Sequence, residues 1–238
     1  MIRIFTLRDW KVAARLLAIA ATVGVVAACS FEFPGTGAPP HMYILTPKST
    51  FSEKLPSVKW QLLVEVPQAQ AGINTARIAL RDSPIEMRYF QLANWTDLAP
   101  RMIQTLIVES FENSDRIVAV GREAIGLRAD YVLKTELREF QAEFPERLPQ
   151  NTESGIGDIA PPTIRVRLNA KLIKMPRRSI VASKNFEYLI DAKENSMEEI
   201  IGAFDSALGK TMRRLVEWSL TIGEQNDDPR DKAARQRR

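Results

Sequence analysis

The sequence predicts an α+β domain: a single mixed β-sheet of about seven strands packed by two main amphipathic helices. Three observations lead there. "IRVRLNAKLIK" from Ile164 alternates apolar and polar residues with a period of two and is followed, after "MPRR", by a second alternating run. Two stretches, 98–111 and 197–220, instead repeat their apolar residues at steps of three and four, the helical spacing. Strands mostly in hairpins, with helices inserted as crossovers, suggest a mixed sheet packed by those helices.

Before the first strand the chain has three differently composed parts. Met1 to Arg15 carries Arg3, Arg8, Lys11 and Arg15 against Asp9, and Leu16 to Ala28 is then free of charge. Basic, apolar and small regions in that order predict a signal peptide over 1–28. Its apolar run is shorter than the ~20 residues a membrane-spanning helix needs. Cys29, the sole cysteine, follows Val26-Ala27-Ala28, which resembles the bacterial lipobox, in which the cysteine thiol takes up a diacylglyceryl group and becomes the first mature residue. Cys29 is therefore the expected lipid-attachment site. Several acyl chains hold a protein on a membrane firmly, at roughly 0.8 kcal/mol per buried methylene. Ser30 stands where an aspartate commonly retains such proteins at the inner membrane, so the expected location is the outer membrane, facing the periplasm. Residues 29–42, rich in Pro and Gly, are read as a flexible tether; 13 residues of it, 30–42, reach roughly 40 Å.

Cleavage before Cys29 changes the charge balance. The full chain has 33 Lys+Arg and 29 Asp+Glu, and removal of the leader leaves 29 against 28. The basic character thus belongs largely to the leader, and no nucleic-acid footprint is expected.

The domain is placed at 43–222. "YILTP" and "QLLVEV" are short strands, the second alternating Leu62, Val64 and Val66 against Gln61 and Glu65. "ARIAL" and "IEMRYFQL" pair around the turn Asp82-Ser83-Pro84. The first helix begins near Thr96 to Ala99, because Pro100 is tolerated only in the first turn. "RIVAVG" is a short strand; in "DYVLKTELREFQAEF" Tyr131, Leu133 and Leu137 alternate with Lys134, Glu136 and Arg138. Residues 145–162 form a long Pro-rich connection. The hairpin 164–190 follows, with Ile180, Ala182, Phe186, Tyr188 and Ile190 expected on one face. The last helix opens on the capping box Ser196-Met197-Glu198-Glu199. A charged, solvated and disordered tail is expected over 223–238.

Catalytic chemistry has few candidates in this sequence. His41 is the only histidine and falls in the tether, which disfavours Ser-His or Cys-His catalysis. With one cysteine and one histidine no metal ligand set is visible, and no cofactor is expected. "GAFDSALGKT" ends like a phosphate-binding loop, but six residues separate Gly202 from Gly209 instead of four. Glu136 with Glu139, and Glu198 with Glu199, read as surface carboxylates and not as acid/base pairs. The expectation is a protein that is not an enzyme.

"YIL" after the tether, "WQLLVEVP", the block "RIALRDSPIEMRYFQLANWTDLAPRMIQTLIVESFENS" and "DYVLKTELREFQAEF" together resemble the ABC-type transport auxiliary lipoprotein family. The resemblance covers roughly Tyr43 to Leu220. It implies a non-catalytic component of an intermembrane lipid transport system, whose partner is a mammalian-cell-entry type substrate-binding protein and whose members form homo-oligomeric rings; nucleotide chemistry would belong to the partners. Arg165, Arg167 and Lys171 on the 164–190 hairpin, with the 145–162 connection, are the candidate partner surface. An assembly lipoprotein of the pilotin type, or an activator of cell-wall enzymes, would share the anchor and lack of catalytic residues, and stands as the alternative.

Overall fold

A computed structural model describes residues 39–122, 129–145 and 160–227. Cys29, nearly all of the expected tether, most of the 145–162 connection and the tail beyond Asp227 lie outside the described residues. In chain order the elements are β1 (His41–Tyr43), β2 (Val58–Val64), β3 (Gln68–Ala69), β4 (Arg77–Ser83), β5 (Glu86–Trp95), α1 (Ala99–Glu112), β6 (Ile117–Arg122), β7 (Tyr131–Glu143), β8 (Thr163–Lys174), β9 (Ser179–Asp191) and α2 (Met197–Gln225). The described strands thus number nine, against the seven or so expected, in one mixed sheet. From Pro40 onward the described residues belong to one compact unit.

β7 is the spine of the sheet. One edge pairs antiparallel with β8, which pairs in turn with β9. Along the other edge three strands lie end to end, all parallel to β7: β2 at Leu62↔Tyr131, β3 at Gln68↔Glu136 and β4 at Ala79↔Gln141. β6 lies outside β2, while β5 and then β1 lie outside β4. Parallel neighbours cannot be joined by a tight turn, and α1 lies within the long connection between β2 and its parallel neighbour β6. α1 packs on β2 and β6, α2 packs on β8 and β9, and the helices meet each other.

The alternation in the strands places one set of side chains under the helices. Ile164, Val166, Leu168, Ala170 and Leu172 of β8 are all buried there. Ile103, Ile107 and Phe111 of α1 and Phe204, Leu208, Leu215 and Leu220 of α2 close the core from above. At its centre Trp95, Phe140 and Phe204 form a triangle with ring centroids 5.4, 5.2 and 5.1 Å apart. Such tilted and edge-on arrangements suit the aromatic quadrupole. Ser196 caps α2 by accepting a hydrogen bond from the Glu199 amide (3.4 Å), as the capping box requires. Pro100 sits in the first turn of α1, where its missing N–H costs nothing.

Bulges on β7 and β9 change the phase of strands that the sequence reads as uninterrupted. The β7–β8 register slips between Leu137 and Glu139, leaving Arg138 unmatched. Strict alternation after Leu137 would bury Glu139; the bulge turns it outward and brings Phe140 into the core instead. The second slip, between Leu172 and Ile173, leaves Val181 unmatched on β9. It turns Ile180 off the core face, where it is 58% exposed, so the expectation that Ile180 shares a face with Ala182 and Phe186 is corrected. His41, expected in the tether, instead opens β1 opposite Ala93. α2 runs on to Gln225, past the expected boundary at 222, because Gly223 packs directly on the Trp60 indole and its carbonyl accepts from the Tyr131 hydroxyl at 3.1 Å.

Candidate docking surface

The face of the sheet away from the helices is lined by the polar partners of the same alternation. β7 supplies Lys134, Glu136, Glu139, Gln141 and Glu143, β8 supplies Thr163, Arg165, Arg167 and Asn169, and β4 supplies Arg81. Cross-strand register brings opposite charges together. Arg167 donates to Glu139 at 2.6 Å, and Arg165 donates to Glu143 at 3.1 Å and to Glu187 of β9 at 3.0 Å. Arg81 stands 3.7 Å from both Glu139 and Glu143. Gln141 between them donates to each carboxylate, at 2.7 and 3.0 Å. The ladder continues through Arg138 to Glu136 (2.9 Å) and Asn185 (3.4 Å), and Lys134 reaches Glu65 at 3.6 Å.

Arg165 and Arg167 therefore lie where the sequence places them, on the open face, but their charges are matched by carboxylates. The central group is three guanidiniums, of Arg81, Arg165 and Arg167, against three carboxylates, of Glu139, Glu143 and Glu187. Lys171 lies on the same strand opposite Lys134 and Ser183, and among the described residues it makes no ion pair. With its charges paired, this face presents directional hydrogen-bonding groups more than net charge, and its partly buried ion pairs each contribute on the order of 1 kcal/mol. Two solvent-open grooves border the ladder. One of about 340 Å³ lies between the β4–β5 turn, Glu143 and Arg165; the other, about 400 Å³, lies between Gly72, Ile85, Met87 and the Glu136, Glu139 and Arg167 side chains. Arg81 and Phe144, which help shape these grooves, carry no signal in the sequence, and Asp82-Ser83-Pro84 is legible there only as a turn, because their meeting depends on β4 lying parallel to the far end of β7.

A second polar array holds the segment 44–57 across the helices. The Thr46 amide and hydroxyl donate to Asp205 of α2 at 2.7 and 2.9 Å, the Lys48 amide donates to Ser110 of α1 at 2.9 Å, and Asn113 donates back to the Lys48 carbonyl at 3.2 Å. Leu45 and Leu55 are buried beneath it. This strap fixes the place at which the chain that follows Cys29 joins the domain.

Arginines engage the carboxylates of the ladder. Glu139 sits between Arg81 and Arg167, Glu136 is held by Arg138, and His41 lies exposed at the sheet edge. Among the described residues no group of three or more His, Cys, Asp or Glu side chains is placed to hold a metal ion. Gly209-Lys210-Thr211 falls within α2, where the Thr211 hydroxyl donates to the Ala207 carbonyl at 3.0 Å and is buried, so it has neither the loop nor the free hydroxyl of a phosphate site. No helix of the described residues is long and apolar enough to cross a membrane.

Fold and surface thus define an α+β domain that presents a hydrogen-bonded sheet face with open grooves. The chain belongs to the ABC-type transport auxiliary lipoprotein component family, whose pattern matches residues 43–216. It is similar to a crystallised Xanthomonas campestris protein, with 31% identity and a TM-score of 0.69 over 78% of this chain and 98% of that one. A second crystal structure, of an uncharacterized protein, shares the fold at a TM-score of 0.55 with 9% identity, over 75% of this chain and 97% of that one. An uncharacterized Bradyrhizobium diazoefficiens protein is 23% identical over 79% of this chain, which spans about half (48%) of that relative's length.

Proposed function

We propose that this chain is a non-catalytic docking subunit of an ABC-type intermembrane lipid transport system, held on the outer membrane by acyl chains on Cys29 and facing the periplasm. Its partner is a mammalian-cell-entry type substrate-binding protein, and the ATP-driven step belongs to the rest of the transporter. The observation that carries this reading is the family match over 43–216, which spans nearly the whole described fold. The ion-paired ladder supports a docking role over an enzymatic one: its carboxylates are engaged by arginines in a way that a general acid or base is not.

On this reading the partner meets the open face around Arg165, Arg167 and Lys171. Docking there exchanges hydrogen bonds within the ladder for hydrogen bonds across the interface, which favours specificity over raw affinity. The test is co-purification of the full lipidated chain with the transporter's mammalian-cell-entry protein. Arg165→Glu with Arg167→Glu places new carboxylates beside Glu143, Glu187 and Glu139, and abolishes co-purification. Lys171→Glu, which breaks no ion pair of the described residues, weakens it without disturbing the sheet. Co-purification with cell-wall or secretion proteins in place of the transporter overturns the transport reading. Density-gradient separation of inner and outer membranes checks the location, and Cys29→Ser moves the protein to the soluble fraction.

A further inference from the structure

The strap and β1 fix where the lipidated segment joins the domain, and three exposed apolar side chains gather at that place. Met42 in β1 is 54% exposed, Ile44 just beyond it 70%, and Leu92 on the neighbouring strand 52%. β1 pairs with β5 in the register His41↔Ala93 and Met42↔Asn94, so Leu92 flanks the residue at which the chain joins the sheet. Isolated exposed apolar residues are ordinary on protein surfaces. Elsewhere among the described residues exposed large apolar side chains stand singly, at Val66, Val118 on β6, and Ile180 and Leu189 near opposite ends of β9, or as the pair Ile85 and Met87 at the β4–β5 turn. Three around one short strand need an explanation.

The backbone at Leu92 adds an independent observation. Two steps along β4, from Arg77 to Ala79, face five steps along β5, from Asn94 back to Tyr89. The excess residues bulge outward, and Leu92 adopts φ 54°, a left-handed conformation that a branched side chain rarely takes. Neighbouring Gln91 is exposed as well. Strain of this kind costs on the order of 1–3 kcal/mol and persists where the surrounding structure imposes it, often at surfaces with a role. Here its outcome is a leucine turned into solvent at the sheet edge.

From these features we infer that the β1 edge is a membrane-facing patch, on which Met42, Ile44 and Leu92 rest in the interfacial region of the bilayer that holds the chain's own anchor. The inference rests on lipid attachment at Cys29. The occupant follows from chain length: the ten residues 30–39 between Cys29 and the fold span at most roughly 35 Å, so this edge never lies far from the bilayer. At the effective concentration of such a link, on the order of millimolar, a contact of three side chains too weak to bind a free protein suffices to orient a tethered one. The orientation leaves the β9 edge and the Arg165 region, at the other side of the sheet, directed away from the membrane and open to a partner.

Site-specific quenching tests this directly. Cys29 is the sole cysteine and its sulfur is consumed by lipidation, so Gln91→Cys and, on the distant strand, Ser183→Cys each provide one labelling site for a fluorophore. The full lipidated protein is reconstituted into phosphatidylethanolamine/phosphatidylglycerol vesicles that carry a nitroxide-labelled lipid. The expected result is several-fold stronger quenching at Gln91→Cys than at Ser183→Cys. Adding Met42→Ser, Ile44→Ser and Leu92→Gly, all at exposed positions and the last relieving the positive φ, lowers quenching to the Ser183→Cys level while the protein stays on the vesicles. Equal quenching at the two sites, or quenching unchanged by the triple substitution, overturns the inference. So does a change in sedimentation of Cys29→Ser protein on triple substitution, which would assign the patch to a second copy of the chain. Failure of the anchor itself registers separately, as a second labelled thiol and loss from the vesicle fraction.

Discussion

The two faces of one sheet are built by alternate residues of the same strands, yet they are held together by different physics. Under the helices Ile164, Val166 and Leu168 join the Trp95, Phe140 and Phe204 triangle in a core that excludes water. One residue along, Arg165 and Arg167 meet Glu143, Glu187 and Glu139 across half-exposed ion pairs. The core face supplies stability, because buried apolar area and close packing are worth several kcal/mol per large side chain. The open face contributes less to stability, and on the proposed docking role it is correspondingly free to specify a partner.

Breaking that contrast begins with its largest element. Phe204→Ala removes the ring that touches both Trp95 and Phe140 and should cost about 3–5 kcal/mol, read as a lower denaturation midpoint at unchanged slope. Gly223→Ala places a Cβ against the Trp60 indole, which is itself fully buried; overpacking of this kind costs about 1–3 kcal/mol and should alter tryptophan fluorescence as the indole shifts. Ser196→Ala removes the cap of α2 for about 1 kcal/mol, measurable by thermal unfolding and by faster amide exchange in the first turn. On the open face Glu139→Gln, which leaves Arg81 and Arg167 without their shared carboxylate, should cost no more than about 1 kcal/mol. That cost should shrink as salt is raised, whereas the cost of Phe204→Ala should not. If Glu139→Gln proved as damaging as Phe204→Ala, the division of labour between the faces would be wrong.

How far the fold was readable varies strand by strand. The β8–β9 and β4–β5 hairpins follow from local alternation and turns, and both helices follow from apolar stripes with Ser196 and Pro100 at their starts. The bulges on β5, β7 and β9 left no such trace. "ELREFQAE" reads as even alternation through Arg138, and only the competing demands of a buried Phe140 and an ion-paired Glu139 displace the register. β3 is two residues long and exists because Gln68–Ala69 happens to run beside Glu136–Leu137. The candidate surface was half legible: outward-facing Arg165, Arg167 and Lys171 could be read from alternation, but Glu187 on β9 and Arg81 on β4 are brought to them by pairings across 22 residues or more.

By itself the sequence determined which residues alternate, where helices start, the single cysteine after a small-residue run and the balance of charge. These are local properties, set by side-chain period, capping and composition. Only the tertiary structure decided that β2, β3 and β4 lie end to end along β7, that the arginines of the open face are matched by carboxylates, and that Leu92 is turned outward beside β1. Parallel pairing and bulges are settled by which distant segments fit beside one another. No local pattern specifies that choice, because its free energy arises only when the segments meet.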